Sequence, residues 1–305
     1  MASPHDHLDK LKIFVTVAEK QKINEASKIL GLTQPSVSRA IQTLEAAFDT
    51  RLFTRGRYGA RLTESGEILY QSASRILHEV TDVSTRIKHS GDELAGNLTV
   101  GSYESLAEYL WPDFLTKLRK TYPNLNLSVR TGGVQDSFSR LIDGQVDLLV
   151  DAEPRNSEEI TSWKLYSDRF SFYASDQLNF EYFSSEDASS LALLYVPKAY
   201  DGAHIAIEDH LRRASYVFER EYIFDSFSTV KRLAARGLGI AVLPNRLALE
   251  DINTSRIHKV SAKGFPENGF GLHTIYATCA AQKSGDLRIR KLVSQLRGHF
   301  LDARN

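Results

Sequence analysis

TQPSVSRAIQTLEAAF, residues 33–48, reads as an amphipathic helix with a marked beginning. Thr33 is a good N-cap, because its hydroxyl can accept an orphan N–H of the first turn, and Pro35 falls where a missing donor costs nothing. The helix therefore starts at Thr33. Val37, Ile41, Leu44 and Phe48 recur at spacings of four, three and four, so one stripe is expected to bury against a neighbour. The opposite face carries Gln34, Ser38, Arg39 and Gln42, short or forked side chains suited to base edges and phosphates. An ordinary amphipathic surface helix would show the same pattern, so the flanks have to decide.

Upstream, EASKILGL (residues 25–32) has Ala26, Ile29 and Leu30 at helical spacing, and Gly31 can turn the chain with φ > 0. A short helix, a glycine turn and a second helix with a polar outer face are the helix-turn-helix signature. Leu8, Leu11, Phe14, Val15 and Ala18 mark a further helix that can close the small core. Downstream, residues 51–63 form two short extended pieces around glycines, with Arg51, Arg55, Arg57 and Arg61 among them, as in a wing. Arginine suits phosphate and the minor groove. Residues 33–63 hold five Lys/Arg against two Asp/Glu, so the basic surplus lies where a duplex would.

With these residues in place the chain resembles the LysR-type transcriptional regulators. Ala26, Leu30, Gln34, Pro35, Ser36, Ser38, Ile41, Leu44, Glu45, Leu52, Phe53, Arg55, Leu62, Thr63 and Gly66 carry the resemblance, in that family's order and spacing. The chain departs from the pattern at Lys22, at Ser27 and at the wing tip, where Tyr58 replaces a basic residue and Arg57 stands one place earlier. The resemblance implies double-stranded operator DNA as partner, contacted by Gln34, Pro35, Ser36, Ser38, Arg39, Gln42, Arg55, Arg57 and Arg61.

Composition sets bounds on the remainder. At 305 residues there is room for two or three domains with cores of their own. Hydrophobic residues at 42% and charged residues at 25% are ordinary for a globular chain, with no apolar run long enough to span a bilayer. The single cysteine, Cys279, allows no internal disulfide and fits a reducing cytoplasm, and MASPHDHLDK has no apolar stretch for a secretory signal. A net charge of zero opposes indiscriminate coating of nucleic acid, but not a small basic module on a neutral body.

Residues 64–89 read as one long helix. Leu69, Ala73, Ile76, Val80, Val83 and Ile87 follow at spacings of four and three, a heptad seam that a single helix lying on its own domain could also show but that better suits self-association as a homodimer or homotetramer. A hinge is expected at 90–95. Beyond it strands and helices alternate: a strand at 97–101, one helix from Ser102-Tyr103-Glu104 to Tyr122, a strand at 125–130, a helix around Phe138 to Ile142, and a strand at 146–150. This predicts a parallel sheet with helices on both faces. Residues 170–174 would cross to a second lobe holding strands at 191–196, 222–224 and 239–243, and residues 273–279 would cross back. The predicted architecture is therefore α+β and multidomain. It has a winged helix-turn-helix (1–63), a linker helix (64–89) and a two-lobed α/β effector domain (96–305), with lobes at about 96–168 plus 272–305 and about 169–271. The second half resembles periplasmic binding proteins and the LysR-type effector domain, chiefly through FDSFSTVKRLAARGLGIAVLP, residues 224–244.

Ligands of open α/β sheets sit beyond the carboxyl ends of the strands. The matching positions are Ser102 and Tyr103, Thr131, Gly132 and Gly133, Tyr200 and Gly202, and Ser226 and Phe227. Hydroxyls and free N–H groups at helix starts favour an anion, so a small carboxylate-bearing effector is expected by resemblance. Each serine or threonine taken singly can also be a simple helix cap. No metal spacing links the nine histidines with Cys279, and Gly237-Leu238-Gly239 precedes a strand where a dinucleotide loop must follow one. No cofactor and no enzymatic role are expected. The rival readings are a regulator without a small-molecule effector, an α/β enzyme and a solute-binding protein, with RNA polymerase a further candidate partner and no membrane.

Overall fold

The computed structural model describes residues 8–56, 59–88, 94–132, 134–152, 157–178, 180–197, 207–254 and 256–302. The chain divides into two compact units, Met1–Gly91 with Ile142–Gln145, and Asp92–Leu141 with Val146–Asn305.

The first unit runs α1 (Leu8–Lys20), α2 (Ile23–Leu30), α3 (Gln34–Ala47), β1 (Phe53–Gly56), β2 (Gly59–Leu62) and α4 (Glu64–Lys88). Gly31 ends α2 at φ 64°, a left-handed conformation that costs a side-chain-bearing residue energy. Thr33 then caps α3, its hydroxyl accepting the N–H of Ser36 at 3.3 Å. Phe14, Val17, Ala26, Val37, Ile41, Leu44, Leu52, Phe53 and Ala73 form one core. Burying each of the larger side chains contributes about 1.5–3 kcal/mol. Strands β1 and β2 pair antiparallel from Phe53↔Leu62 to Gly56↔Gly59, making the wing.

The periodicity errs where an element ends or where a neighbour claims a face. Phe48 is 42% exposed because it caps α3 beyond its last turn, and Ala40 takes its place on the buried face. Ile29 and Leu8 are likewise exposed. The expected seam on α4 divides. Ala73 is fully buried and Leu69 packs on the unit's own core, where α1 lies along α4, so neither faces outward. Ile76, Val80, Val83 and Ile87 remain exposed.

The second unit runs β3 (Gly96–Ser102), α5 (Glu104–Tyr109), α6 (Trp111–Thr121), β4 (Leu125–Thr131), α7 (Val134–Ile142), β5 (Leu148–Asp151) and β6 (Ile160–Ser175). It continues β7 (Tyr182–Phe183), α8 (Ser185–Ala188), β8 (Ala192–Tyr195), α9 (Ile207–Arg213), β9 (Arg220–Ile223), α10 (Phe227–Ala234), β10 (Ile240–Pro244), α11 (Asn245–Asn253), β11 (Ile257–Ala262), β12 (Phe270–Ala280) and α12 (Leu287–Asp302). The strand order is β4-β3-β5-β12-β6-β10-β8-β9, with β11 on β6 and β7 on β11. Strands β3, β4 and β5 are parallel, as are β8, β9 and β10. The sheet is mixed rather than parallel throughout, because β6 and β12 join the two halves antiparallel. The first part of β6 pairs with β12 and the last part with β10 and β11, so it spans both lobes and starts at Ile160, well before the expected Phe170. The single helix expected up to Tyr122 is two, broken at Leu110. Pro112 lacks an N–H, and its ring would clash with the carbonyl four residues back in a continuous helix.

A Cβ placed on Gly66 would lie 2.2 Å from the carbonyl oxygen of Leu52, so only glycine lets the first turn of α4 rest on the entry to the wing. Gly66→Ala should destabilise the first unit by about 1–3 kcal/mol through overpacking. Faster hydrogen exchange of α1–α4 amides, with β3–β6 unchanged, would register it.

Candidate nucleic-acid interface and interlobe cleft

On α3 the structure separates two faces. Val37, Ala40, Ile41 and Leu44 are buried, whereas Gln34, Pro35, Ser36, Arg39 and Gln42 are exposed and Ser38 is half-buried. Gln34 is oriented by donating its side-chain amide to Asn24 Oδ1 at 3.1 Å, and the Ser36 hydroxyl shares a 2.8 Å bond with that of Thr33. Among the described residues no hydrogen bond or ion pair from the Arg39 guanidinium is found, which leaves five donors for an acceptor from outside. Arg61 is exposed on β2, and Arg55 pairs through its backbone with Ala60. Arg57 lies outside the described residues.

Sequence reasoning missed what holds the wing to the helix. One oxygen of Glu45, Oε1, accepts the N–H of Leu52 at 2.9 Å and that of Phe53 at 3.4 Å, tying α3 to the start of β1. The Thr63 hydroxyl donates to the carbonyl of Arg51 at 2.7 Å and accepts the N–H of Gly66 at 3.0 Å, fixing the other end of the wing. The helix and the wing are therefore tied together by hydrogen bonds at both ends of the wing.

In the second unit the expected cleft residues fall into two groups and an undescribed remainder. Ser102 and Thr131 are register neighbours at the carboxyl ends of β3 and β4, with exposed Gly132 following and Tyr103 at the N-cap of α5. Ser226 caps α10, its hydroxyl accepting the N–H of Thr229 at 3.3 Å. Gly133, Tyr200 and Gly202 lie outside the described residues. Two side chains are less available than expected. Ser102 is buried and accepts the indole N–H of Trp111 at 2.9 Å, and Phe227 is a core ring, 5.8 Å between centroids from Phe170. Phe170 also lies 4.8 Å from His273, whose imidazole burial pushes down to about 4.

The two groups are brought together by contacts that the sequence reading did not name. Lys231 of α10, 4% exposed, places its ammonium 2.6 Å from Glu108 Oε1 on α5, and the Ser228 hydroxyl bonds Glu108 Oε2. This clasp joins the lobes directly. A signal for it existed: Lys231 falls four residues after Phe227 and three before Ala234, on the helix face that buries, so it needed a counter-charge.

A winged helix-turn-helix with a free polar face, in one chain with a two-lobed α/β domain, defines a class of two-domain DNA-binding regulators. A family model described as the bacterial regulatory helix-turn-helix protein, lysR family, matches residues 8–67, and the LysR substrate binding domain matches residues 91–301. The chain belongs to the LysR family and is a DNA-binding transcriptional regulator of that type. It is similar to the HTH-type transcriptional regulator BbuR of Bordetella bronchiseptica, 24% identical over 274 residues covering 88% of this chain and 83% of the relative. The probable HTH-type transcriptional regulator LrrA of Synechococcus elongatus is 28% identical over 243 residues, 80% and 82% of the two chains. In fold it resembles full-length CbnR complexed with its target DNA, at TM-score 0.69 and 18% identity, over 95% of this chain and 99% of that one. The relatives are named regulators, not enzymes.

Two substitutions test these contacts. Glu45→Ala should leave two backbone donors without their acceptor, costing about 1–3 kcal/mol, and should weaken DNA binding from a residue that need not touch DNA. Gel-shift titration beside Glu45→Gln, which keeps an oxygen at the site, separates lost wing placement from lost charge. Lys231→Met should strand the Glu108 carboxylate and destabilise the second unit by about 2–4 kcal/mol, since Glu108 keeps some solvent. Urea unfolding followed by tryptophan emission reads it, both tryptophans lying in that unit.

Proposed function

We propose that this regulator binds a two-half-site operator as a dimer or tetramer, and that a small anionic metabolite between the lobes changes its grip. Gln34, Pro35, Ser36, Ser38, Arg39 and Gln42 read base edges from α3, while Arg55, Arg57 and Arg61 engage phosphates or the minor groove. The observation that carries this reading is the exposed polar face of α3 above its buried Val37, Ala40, Ile41 and Leu44. Assembly uses the exposed run Ile76, Val80, Val83 and Ile87 on α4, with Leu69 and Ala73 left to the unit's own core. The module boundaries are 1–63, 64–89, 90–95 and 96–305, and the protein acts on DNA in the cytoplasm, with RNA polymerase as a further contact.

For the effector, the proposed set is Ser102, Tyr103, Thr131 and Gly132 beyond β3 and β4, with Ser226 and Phe227 at the start of α10 and with Gly133, Tyr200 and Gly202, which lie outside the described residues. The supporting features are the Ser102↔Thr131 register at the strand ends and the capped start of α10. A regulator without a small-molecule effector is the second reading. It is favoured by the clasp, in which Glu108, Ser228 and Lys231 already satisfy one another.

Footprinting on the surrounding genomic DNA, with and without candidate carboxylates, tests both. Arg39→Ala should cost about 1–3 kcal/mol at the specific site and relax base preference. Arg55→Ala should lower affinity for all sequences alike and flatten the salt dependence by about one ion. A chain that protects no promoter at low salt refutes the DNA assignment of these residues. A footprint unmoved by every metabolite leaves the second reading standing.

A further inference from the structure

The second lobe holds a cavity of about 610 Å³ that shares no residue with the clasp or with the cleft set. Arg169 of β6, His210 and Arg213 of α9, Lys263 of the turn after β11, and the rings of Phe265 and Phe270 line it. Among the described residues no carboxylate lines the cavity and no ion pair holds Arg169, Arg213 or Lys263. Three cations and an imidazole gathered here repel one another, and among the described residues Asp209 is the carboxylate that acts on His210. Burial first, and Arg213 second, hold His210 below its ordinary range against the opposing pull of Asp209. An anion relieves all of this at once.

The walls are built rather than incidental. The Lys263 carbonyl accepts the Tyr216 hydroxyl at 2.9 Å, its N–H bonds the Phe183 carbonyl at 3.1 Å, and the Phe265 N–H bonds Ala262 at 3.1 Å. The Phe265 and Phe270 rings pack at 4.8 Å, and His210 stands 5.4 Å from Phe270. Strand β12 shifts register between Phe270 and Leu272, opposite Phe170 and Arg169, with Gly271 as the extra residue at φ 56°. Such bulges re-aim side chains and recur beside binding sites. The volume lies within the roughly 300–1,000 Å³ of small-molecule sites.

We propose that this pocket is a second ligand site, for a small organic anion carrying at least two negative groups on an apolar body. The anionic groups meet Arg169, Arg213 and Lys263, and the body lies on Phe265 and Phe270. Charge excludes neutral ligands, and the aromatic floor favours an organic anion over bare phosphate. Because Arg169 belongs to the strand that crosses between lobes, occupancy fastens that strand to α9 and to the β11–β12 turn. The site stands whether or not the interlobe cleft takes an effector.

Calorimetric titration of the full-length protein with phthalate, citrate, inorganic phosphate and benzoate tests it. Phthalate or citrate should bind more tightly than benzoate or phosphate, with affinity falling as salt is added. The double variant Arg213→Gln, Lys263→Gln removes charge from two exposed side chains and should weaken that binding at least tenfold. Ser226→Ala and Arg212→Gln should leave it unchanged. The His210 ring, followed by NMR, should titrate at higher pH in the saturated wild type. Binding that survives the double variant, that is lost in Ser226→Ala, or that is absent at millimolar phthalate and citrate overturns the proposal.

Discussion

Val37, Ala40, Ile41 and Leu44 leave water together when α3 packs into the first unit, and every statement about DNA depends on that burial. Four side chains on one face fix the helix in rotation. Gln34, Arg39 and Gln42 then have no choice but to face solvent, because residues on a helix keep their angular offsets. Glu45 follows Leu44 by one position, which turns it out of the core and toward the wing, where its carboxylate takes two backbone donors. One helix thus packs with one face, anchors the wing with the next and leaves a third, polar, face to solvent.

The second unit is organised by the antiparallel pair β6 and β12. Each lobe hangs its parallel strands on this pair, so relative movement of the lobes has to be absorbed where the pair passes between them. That passage is densely packed. Phe170 packs beside both Phe227 and His273, and the buried Asp168 accepts the N–H groups of Arg169 at 2.8 Å and Arg246 at 3.1 Å. Burial raises the Asp168 pKa, and those two donors oppose the rise without cancelling it. A crossing held this way favours discrete arrangements over continuous bending.

Local chemistry was legible in the sequence; long-range chemistry was not. Thr33, Pro35 and Gly31 marked helix boundaries because capping and positive φ involve only near neighbours, and the structure has them as read. The core of the first unit followed from spacing, except at Phe48 and Ile29, where an end and an exposed turn overrode the periodicity. The seam on α4 could not be divided from sequence, since a heptad does not say whether its partner is α1 or a second copy. Ser102 looked free because nothing local announces that Trp111 reaches it, and Phe227 looked like a cleft residue because its ring partner lies in β6, more than fifty positions earlier. The short strands β7 and β11 and the helix α11 lacked a strong enough pattern, and Tyr200, Gly202, Gly133 and Arg57 lie outside the described residues.

The clasp constrains what kind of molecule can act between the lobes. A ligand moves an equilibrium only by its differential affinity for the two states, however tightly it binds. With Lys231 already paired to Glu108, a neutral molecule that settles beside the pair leaves both lobes tied and shifts little. An anion that takes Lys231 for itself releases the carboxylate of Glu108, which then has reason to move toward water, carrying α5 away from α10. The same substitution of one anion for another conserves the charge around Lys231, so its cost is small compared with removing the carboxylate outright. Under the effector reading, negative charge on the ligand would therefore be a condition for switching set by Glu108, Ser228 and Lys231, beyond any preference expressed by the helix termini.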